Sequence, residues 1–310
     1  MIYTLTLNPA IDYYACTERP PVRGEVHRLH GEQIRIGGKG INVSRMLAVL
    51  GVPSVAWGYI AGLTGEVVAS GLREEGISHD FIRLSEGATR INVKLRDSDT
   101  VETELNGQGP SIPPDKWEVL LTRLTALGDG DTLILSGSLP RALPTDAYAQ
   151  LLARVSGRGI ITVVDTAGDA LLATLPYHPF LIKPNREELS AIFSTAVCTA
   201  EEAVPYAERL QAMGARNVLV TLGGDGAVLL DERGRLHRTA AHRGKVYRTV
   251  GAGDATVAGF MAACHRTAED GTVDYARALH WGMAVGGAVV LTEGAVTLED
   301  VERMESPCDG

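Results

Sequence analysis

A glycine turn that leads directly into an apolar helix carries the strongest chemical signal in the sequence. It runs from Thr249 through Gly251 and Gly253 to Asp254, and an apolar run follows it. Such a turn leaves several backbone N–H groups unpaired, and the helix dipole adds positive charge at the same point. This arrangement binds phosphate or a developing anion. Asp254 is therefore expected either to cap the helix or to take a proton from a hydroxyl that attacks a phosphoryl group.

A second glycine turn, Gly37-Gly38-Lys39-Gly40, precedes a segment with helical spacing that contains Asn42. Glycines allow a backbone to approach a ligand closely. Lys39 has the reach to bind a phosphate, and Asn42 has the groups to hydrogen-bond sugar hydroxyls. The alternative is a flexible turn with an exposed lysine. The chain contains no GxxxxGK[ST] phosphate loop, and no GxGxxG dinucleotide motif follows its first predicted strand.

Asn185 and Glu188 stand three residues apart where a helix is expected to begin, directly after Lys183 and Pro184. This spacing is typical of a capping box, in which two side chains satisfy backbone N–H groups. The alternative is that both residues position Mg²⁺, through water, and the phosphates of a nucleotide. Taken alone, these residues favour the cap.

Two further loops at strand ends are candidates for ligand contact. The segment 221–226 follows an apolar strand, and its Gly-Asp-Gly sequence is typical of a hairpin turn, although such a turn can also flank a nucleotide. Ser138 follows a predicted central strand, and Asp12 follows the first strand. Ligands of open α/β sheets bind at the carboxyl ends of strands. The alternatives for these two residues are a loop hydroxyl and a turn carboxylate.

Short β-branched runs alternate with helical patterns along the chain. Strands are expected at 2–7, 54–60, 132–136, 160–165, 180–183 and 218–222, and helices at 40–50 and 64–76. This alternation predicts an α/β fold with a doubly wound, mostly parallel sheet and helices on both faces.

Two stretches, about 11–36 and 88–106, depart from this alternation. In the second, Ile91 and Val93 fall on one face of a strand and Arg90 on the other. These stretches are expected to form a small separate sheet, a lid. Its polar face would look into a site, and its apolar face would be buried against a partner subunit. The alternative is an extension at the edge of the main sheet.

Composition restricts the function classes. The 310 residues are 45% apolar and carry a net charge of −9, which fits a soluble globular protein and not a nucleic-acid binder with a basic face. No uninterrupted apolar stretch is long enough to span a membrane, and the first residues lack the features of a signal peptide. The cysteines are widely spaced and fit a reducing, cytoplasmic setting; they are Cys16, Cys198, Cys264 and Cys308.

The order and spacing of these motifs resemble those of ribokinase-type (PfkB) carbohydrate kinases along essentially the whole chain. The segment 37–42 resembles the first signature of the family, 250–254 the second, and 183–188 its NxxE element. The segments 7–12, 89–95, 104–110 and 136–140 resemble those of its bacterial 1-phosphofructokinase members. Arg248 departs from the second signature, which usually has a small polar residue there, and Ala255 replaces a common serine.

The resemblance implies one ribokinase-like kinase domain, 1–310, with a β-lid through which two copies dimerise. It implies transfer of the ATP γ-phosphoryl group to O6 of fructose 1-phosphate, giving fructose 1,6-bisphosphate and ADP, with Mg²⁺ as cofactor. Tagatose 6-phosphate is the alternative substrate. A non-catalytic sugar-phosphate sensor is the alternative of another class, and the intact Asp254 argues against it because a sensor needs no base.

The resemblance also implies roles for individual residues. Asp254 is the base, and the backbone N–H groups of Gly251, Ala252 and Gly253 form an anion hole. The sugar is bound by Asp12, Gly38 and Asn42. The end of the sugar that bears the phosphate is held by Lys39, Arg90, Asn92, Asn106 and Ser138. The Mg-nucleotide is bound by Lys183, Asn185, Glu188, Thr221, Gly223, Gly224, Gly226, Thr249 and Val250, and Glu188 positions the metal through water.

Overall fold

The computed structural model describes residues 1–97, 102–267 and 272–305. Its strands are β1 (Ile2–Thr6), β2 (Ala10–Thr17), β3 (Leu29–Gly37), β4 (Ser54–Ala61), β5 (His79–Leu84), β6 (Arg90–Arg96), β7 (Glu102–Asn106), β8 (Thr132–Ser136), β9 (Ile161–Asp165), β10 (Leu181–Ile182), β11 (Asn217–Thr221), β12 (Ala227–Leu230) and β13 (Leu236–Thr239). Its α-helices are α1 (Lys39–Val49), α2 (Gly62–Glu74), α3 (Pro114–Leu124), α4 (Ala147–Val155), α5 (Gly168–Leu172), α6 (Arg186–Phe193), α7 (Ala200–Ala212), α8 (Ala252–Thr267), α9 (Tyr275–Leu291) and α10 (Leu298–Glu305). Short 3₁₀ turns cover Leu175–Tyr177 and Gly223–Asp225.

The large sheet orders its nine described strands β13-β12-β11-β10-β9-β8-β1-β4-β5. Every pairing from β11 to β5 is parallel, and only the β11-β12 and β12-β13 pairings are antiparallel. The central strands are continuous apolar runs because helices cover both of their faces. The predicted doubly wound, mostly parallel sheet is confirmed.

Two apolar cores lie on opposite faces of this sheet. One contains Leu5, Leu135 and residues of α3, α4, α6 and α7 such as Leu151. The other contains Ile134 and residues of α1, α8 and α9 such as Phe260. Neighbouring residues of β8 therefore point to opposite cores, as the alternation of side chains along a strand requires. Since α1 and α8 share one face, their N-terminal turns can meet at the same sheet edge.

The small sheet has the order β3-β2-β6-β7 and is separate from the large one, so the interpretation as an edge extension is wrong. In one row across it, Ile34, Tyr13, Val93 and Leu105 are register partners on the same face. On the other face, Arg35, Asp12, Asn92 and Asn106 form the corresponding row. The predicted split into a polar and an apolar face is thus present. Val101, within the stretch 88–106, lies outside the described residues.

The predicted boundaries of these strands and helices hold within two residues, and the largest difference is at the helix predicted at 64–76, because α2 covers 62–74. Among the described residues, none of the helices combines the length and apolar character that crossing a membrane would require. Cys16, Cys198 and Cys264 form no disulfide. Cys308 lies outside the described residues.

Candidate active site

Asp254 is the third residue of α8, and its carboxylate faces a neighbouring helix. Asn42 of α1 donates from Nδ2 to Asp254 Oδ2 at 2.8 Å, and Asp254 is 6% exposed. The residue before α8 is Gly251, with φ of +86°, so Asp254 does not hold the cap position. Within the turn, the Ala252 N–H donates to the Thr249 carbonyl at 3.3 Å, which engages one of the three donors expected in the anion hole.

The surroundings of Asp254 shift its proton affinity. Burial raises the pKa of Asp254 to about 6 and the nearby Asp165 carboxylate adds to the rise, against the Asn42 hydrogen bond and the charges of Lys39 and Lys183. A carboxylate with this pKa is ionised at neutral pH and is a stronger base than an exposed carboxylate. It is therefore suited to accept a proton from an alcohol near neutral pH.

Asp165 connects the two lysines of the site. It ends β9, is fully buried, and its Oδ1 lies 3.3 Å from Lys39 Nζ and 3.2 Å from Lys183 Nζ. Burial works against ionisation, but the two lysines hold the pKa of Asp165 below its usual value. Its Oδ2 has no hydrogen-bond partner in the described part of the chain.

Sequence reasoning gave Asp165 no role, although it placed the residue at the end of a predicted strand. The position was the available signal, because ligands of open α/β sheets bind at the carboxyl ends of central strands.

Lys183 lies directly over the first turn of α8. A Cβ at Gly253 would be 3.1 Å from Lys183 Nζ, so a side chain there would shift the buried ammonium by a few tenths of an ångström. Burial works against the charge of Lys39, yet Asp165, Asp254 and Glu188 keep the pKa of Lys39 above its usual value. The glycine turn, both lysines and the two aspartates thus form one cluster of charges.

The turn before α1 explains how Lys39 and Asn42 reach this cluster. Gly38 has φ of +136°, and a Cβ there would come within 2.9 Å of Thr6 Cγ2 at the end of β1. A residue with a side chain would push the turn away from β1. Glycine allows the start of α1 to pack onto the carboxyl end of the central strand.

Asn185 and Glu188 form the capping box that their spacing predicts. The Glu188 N–H donates to Asn185 Oδ1 at 2.8 Å, and the Asn185 N–H donates to Glu188 Oε2 at 2.9 Å. Glu188 Oε1, the other oxygen, lies 3.8 Å from Lys39 Nζ. The cap uses one carboxylate oxygen and turns the other toward the lysines, so the structural and functional interpretations are compatible.

The segment 221–226 joins β11 to β12 as the predicted hairpin. It also contacts the start of α6, because Asn185 and Thr221 form a single parallel bridge. Arg186 donates to the Leu222 carbonyl at 2.8 Å and pairs with Asp225. Sequence reasoning gave Arg186 no role, since its partners lie more than thirty residues away.

The side of this turn that carries Gly223 and Gly224 is open. A Cβ at either glycine would meet no described atom within 4 Å. Thr249 and Val250, the other residues that the resemblance assigns to the nucleotide, are exposed. Some of the residues expected to bind the nucleotide are thus held at the first turn of α6 by hydrogen bonds. The others lie on loops whose surfaces are accessible to a ligand.

Asp12 and Asn92 meet on the polar face of the small sheet. Asn92 Nδ2 donates to Asp12 Oδ1 at 2.8 Å, and Asn92 Oδ1 is buried without a partner among the described residues. Asn106, next in the row, is exposed and donates to Glu104 Oε2 at 3.1 Å. Ser138 is exposed beyond the end of β8.

Arg90 lies on the same face, where its guanidinium contacts backbone carbonyls. Its Nε donates to the Asn8 carbonyl at 3.2 Å and its Nη1 to the Gly107 carbonyl at 3.5 Å. Burial lowers the pKa of Arg90, and the charge of Asp12 acts in the opposite direction. Arg90 therefore belongs to the small sheet, whereas Lys39 belongs to the cluster around Asp165. The two cations that were expected to share one phosphate have different partners in this structure.

Comparison with known proteins identifies the family of the chain. The family model described as pfkB family carbohydrate kinase matches residues 4–301. The chain belongs to the pfkB family of carbohydrate kinases. Members of this family are phosphotransferases that use an alcohol as acceptor and ATP as co-substrate, so the protein is an enzyme of that class.

Individual relatives match over nearly the whole chain. The 1-phosphofructokinase of Bacillus subtilis (strain 168) is 40% identical over 304 residues, which cover 98% of this chain and 97% of that protein. The D-tagatose-1-phosphate kinase of Bacillus licheniformis is 35% identical over 308 residues, with coverage of 98% and 96%. The crystal structure of phosphofructokinase-2 from Escherichia coli in complex with fructose-6-phosphate is 27% identical, with a TM-score of 0.85 and coverage of 98% and 97%.

Proposed function

We propose that the protein is a 1-phosphofructokinase, which transfers the γ-phosphoryl group of ATP to O6 of fructose 1-phosphate and releases fructose 1,6-bisphosphate and ADP. The observation that carries the proposal is the position of Asp254. This buried carboxylate, with a pKa raised to about 6, lies at a glycine turn beside two lysines. The names of the relatives supply the substrate class.

In the reaction, Asp254 accepts the proton of the O6 hydroxyl as that oxygen forms a bond to the γ-phosphorus. The bond from the γ-phosphorus to the bridging oxygen of ATP breaks, and ADP leaves with the electron pair. The proton remains on Asp254 until it is released with the product. Catalysis of this kind rests on positioning and on charge stabilisation.

Lys39, Lys183 and the turn at Gly251–Gly253 are proposed to stabilise the charge of the transferring group. The contacts of Lys39 with Asp165 and Glu188 support a place beside the transferred phosphoryl. The phosphate already on the sugar is then left to Arg90 and its neighbours. The chemistry of Arg90 supports this assignment, because a guanidinium can bind one phosphate through parallel hydrogen bonds.

Mg²⁺ is proposed as the cofactor, held by Glu188 through water. Within the described ranges, no group of three or more His, Cys, Asp or Glu side chains is arranged to hold a metal by itself. Two acceptor oxygens of the cluster have no close donor in the described part of the chain, Asp165 Oδ2 and Glu188 Oε1. This set fits a hydrated Mg²⁺ that arrives on nucleotide phosphates. When bound, the ion neutralises charge on the phosphates.

A D-tagatose 1-phosphate kinase is the second candidate, favoured by the relative from Bacillus licheniformis. Tagatose and fructose differ in the configuration at C4, so both 1-phosphates present the same charged end. Discrimination between them must come from contacts to the ring hydroxyls. Asp12, Asn42 and Asn92 are proposed to make these contacts, because Asn42 contacts Asp254 and the other two pair on the polar face of the small sheet.

A panel of sugars at matched concentrations tests the proposal. ADP release would be measured with fructose 1-phosphate, tagatose 1-phosphate, fructose 6-phosphate, tagatose 6-phosphate and fructose, and the products identified by ³¹P NMR. We expect the highest kcat/KM with fructose 1-phosphate and a bisphosphate product. A higher kcat/KM with tagatose 1-phosphate would select the second candidate, and a preference for either 6-phosphate would overturn both.

We also propose that two copies dimerise through the apolar face of the small sheet. Ile34 and Leu105 are each 61% exposed and Ile91 is 45% exposed, which leaves a contiguous apolar surface. Leu105→Glu should lower the solution mass toward that of a monomer in light scattering. Leu63→Glu is the matched control, because Leu63 is 86% exposed and lies on α2. Equal masses for the two variants would contradict this interface.

A further inference from the structure

The two ends of the Asn42 amide contact groups of different kinds. Nδ2 donates to Asp254 Oδ2 at 2.8 Å, and Oδ1 accepts from Arg45 Nη1 at 2.8 Å. A guanidinium carries only donors, so the Asn42 atom that faces Arg45 must be the oxygen. The NH₂ group must then face Asp254. Arg45 thus determines which end of the amide the carboxylate meets.

Arg45 is itself held on two further sides. Its Nε and Nη2 donate to the two oxygens of Glu75 at 2.7 and 3.1 Å, and Nη2 also donates to the Ile36 carbonyl at 3.2 Å. Such a fork-to-fork pair fixes direction as well as distance. Glu75 directly follows α2, and Ile36 belongs to β3. The guanidinium is therefore anchored to elements outside α1.

A simple surface ion pair is the alternative for Arg45 and Glu75, and such pairs contribute little. The side chains of Arg45 and Glu75 are 33% and 37% exposed. Arg83 and Glu66 are an ordinary pair of this kind, with side chains 57% and 58% exposed. What separates Arg45 from Arg83 is the inward hydrogen bond to the residue that contacts Asp254.

We propose that Arg45, held by Glu75, is a positioning residue that fixes the Asn42 amide and, through it, the carboxylate of Asp254. Arg45 does not touch the reacting atoms. If the amide turned over, Asn42 Oδ1 would face Asp254 Oδ2, and two acceptors would replace a hydrogen bond to a charged group. The inference rests on the proposed function, which makes Asp254 the base.

A double-mutant cycle tests whether Arg45 acts through Asn42. We expect Arg45→Met to lower kcat by roughly tenfold, which is the low end for a hydrogen bond to a charged group. The KM for ATP should stay nearly unchanged. In an Asn42→Ala background, Arg45→Met should cause no further loss, because the residue through which it acts is gone. Arg45→Lys, which keeps a donor and the charge, should recover part of kcat.

Two kinetic outcomes would overturn the proposal. One is a kcat of Arg45→Met equal to that of Arg83→Met, the matched surface control. The other is an Arg45→Met loss that is just as large without Asn42, since Arg45 would then act by another route. If Arg45→Met does not fold, Glu75→Gln takes its place in the same cycle, with a smaller expected loss.

A second measurement keeps the inference separate from the proposed function. The side-chain amide ¹⁵N resonance of Asn42, identified by its loss in Asn42→Ala, should shift or broaden in Arg45→Met and not in Arg83→Met. An unchanged resonance would overturn the positioning role whatever the enzyme's substrate. Near wild-type kcat in Asp254→Asn would instead overturn the base assignment and leave the amide geometry in place.

Discussion

The two sides of the site are built in different ways. At the edge of the large sheet, the charged groups come from three separate segments of the chain, and Asp165 of β9 pairs with Lys39 of α1 and with Lys183, which follows β10. On the small sheet, polar groups pair with register neighbours, as Asp12 does with Asn92. The first geometry depends on the whole fold, and the second depends on strand pairing alone. We therefore expect changes at the first to slow phosphoryl transfer for every acceptor, and changes at the second to alter discrimination among acceptors.

Asp254→Asn should have the largest effect. Loss of a general base typically lowers the rate by about 10²–10⁴, and the loss should be similar for every sugar that is turned over. The variant should fold and still bind ATP, which circular dichroism and calorimetric titration would check. Near wild-type kcat would show that the buried carboxylate serves structure and not chemistry.

Arg90→Met tests the side of the site that the small sheet forms. A hydrogen bond to a charged group corresponds to roughly 10- to 150-fold in kcat/KM. The loss should appear with fructose 1-phosphate and hardly at all with unphosphorylated fructose. Arg96→Met, at the far end of the same strand β6, is the matched control. Equal losses on both sugars would mean that Arg90 does not contact the phosphate.

Glu188→Gln separates the cap from the metal. Glutamine is compatible with a capping box, so the melting temperature should change little. The Mg²⁺ concentration for half-maximal rate should rise by roughly tenfold, as for other groups that hold a metal through an intermediary. Glu202→Gln is the control, because Thr199 and Glu202 form a second capping box on α7. Identical Mg²⁺ titrations for the two variants would leave Glu188 as a cap only.

The pH dependence should be the smallest effect near neutrality. Because the pKa of Asp254 is raised to about 6, the base is ionised above this value and protonated below it. We expect kcat to fall as the pH drops through about 6. Lys183→Met should move this fall to higher pH, since the charge of Lys183 lowers the pKa of Asp254. Arg90→Met should leave the pH of this fall unchanged. A kcat profile that is flat down to pH 5 would contradict the assignment of Asp254 as the base.

The parts of the fold that follow from local patterns were predictable. The strand β8 matches the predicted 132–136, and α1 begins one residue before the predicted start, because apolar runs and glycine stops are written in neighbouring residues. The strand β5 was not predicted. Its exposed positions Asp80 and Arg83 interrupt the apolar run, as expected at a sheet edge.

The candidate site divides in the same way. The glycine turns and the Asn185–Glu188 pair are visible in sequence because each is one short segment. The roles of Asp165 and Arg45 are not, because Asp165 meets Lys39 across 126 residues and Arg45 is anchored by Glu75, 30 residues away. Only the crossovers of the sheet bring those groups together. The expectation that Lys39 binds the sugar phosphate has the same origin. The sequence does not tell that the carboxylates of Asp165 and Glu188 surround this lysine.

The pairing of both lysines with Asp165 has a consequence for how ligands reach the site. The two lysines face three carboxylates at short range before any substrate arrives, Asp165, Glu188 and Asp254, and the chain as a whole carries a net charge of −9. Long-range attraction of an anion needs an uncompensated field, and such steering weakens steeply with ionic strength. When a triphosphate arrives, the lysines exchange their carboxylate partners for phosphate oxygens. Nucleotide capture in this enzyme is thus expected to be governed by fit at contact distance, with little help from long-range attraction.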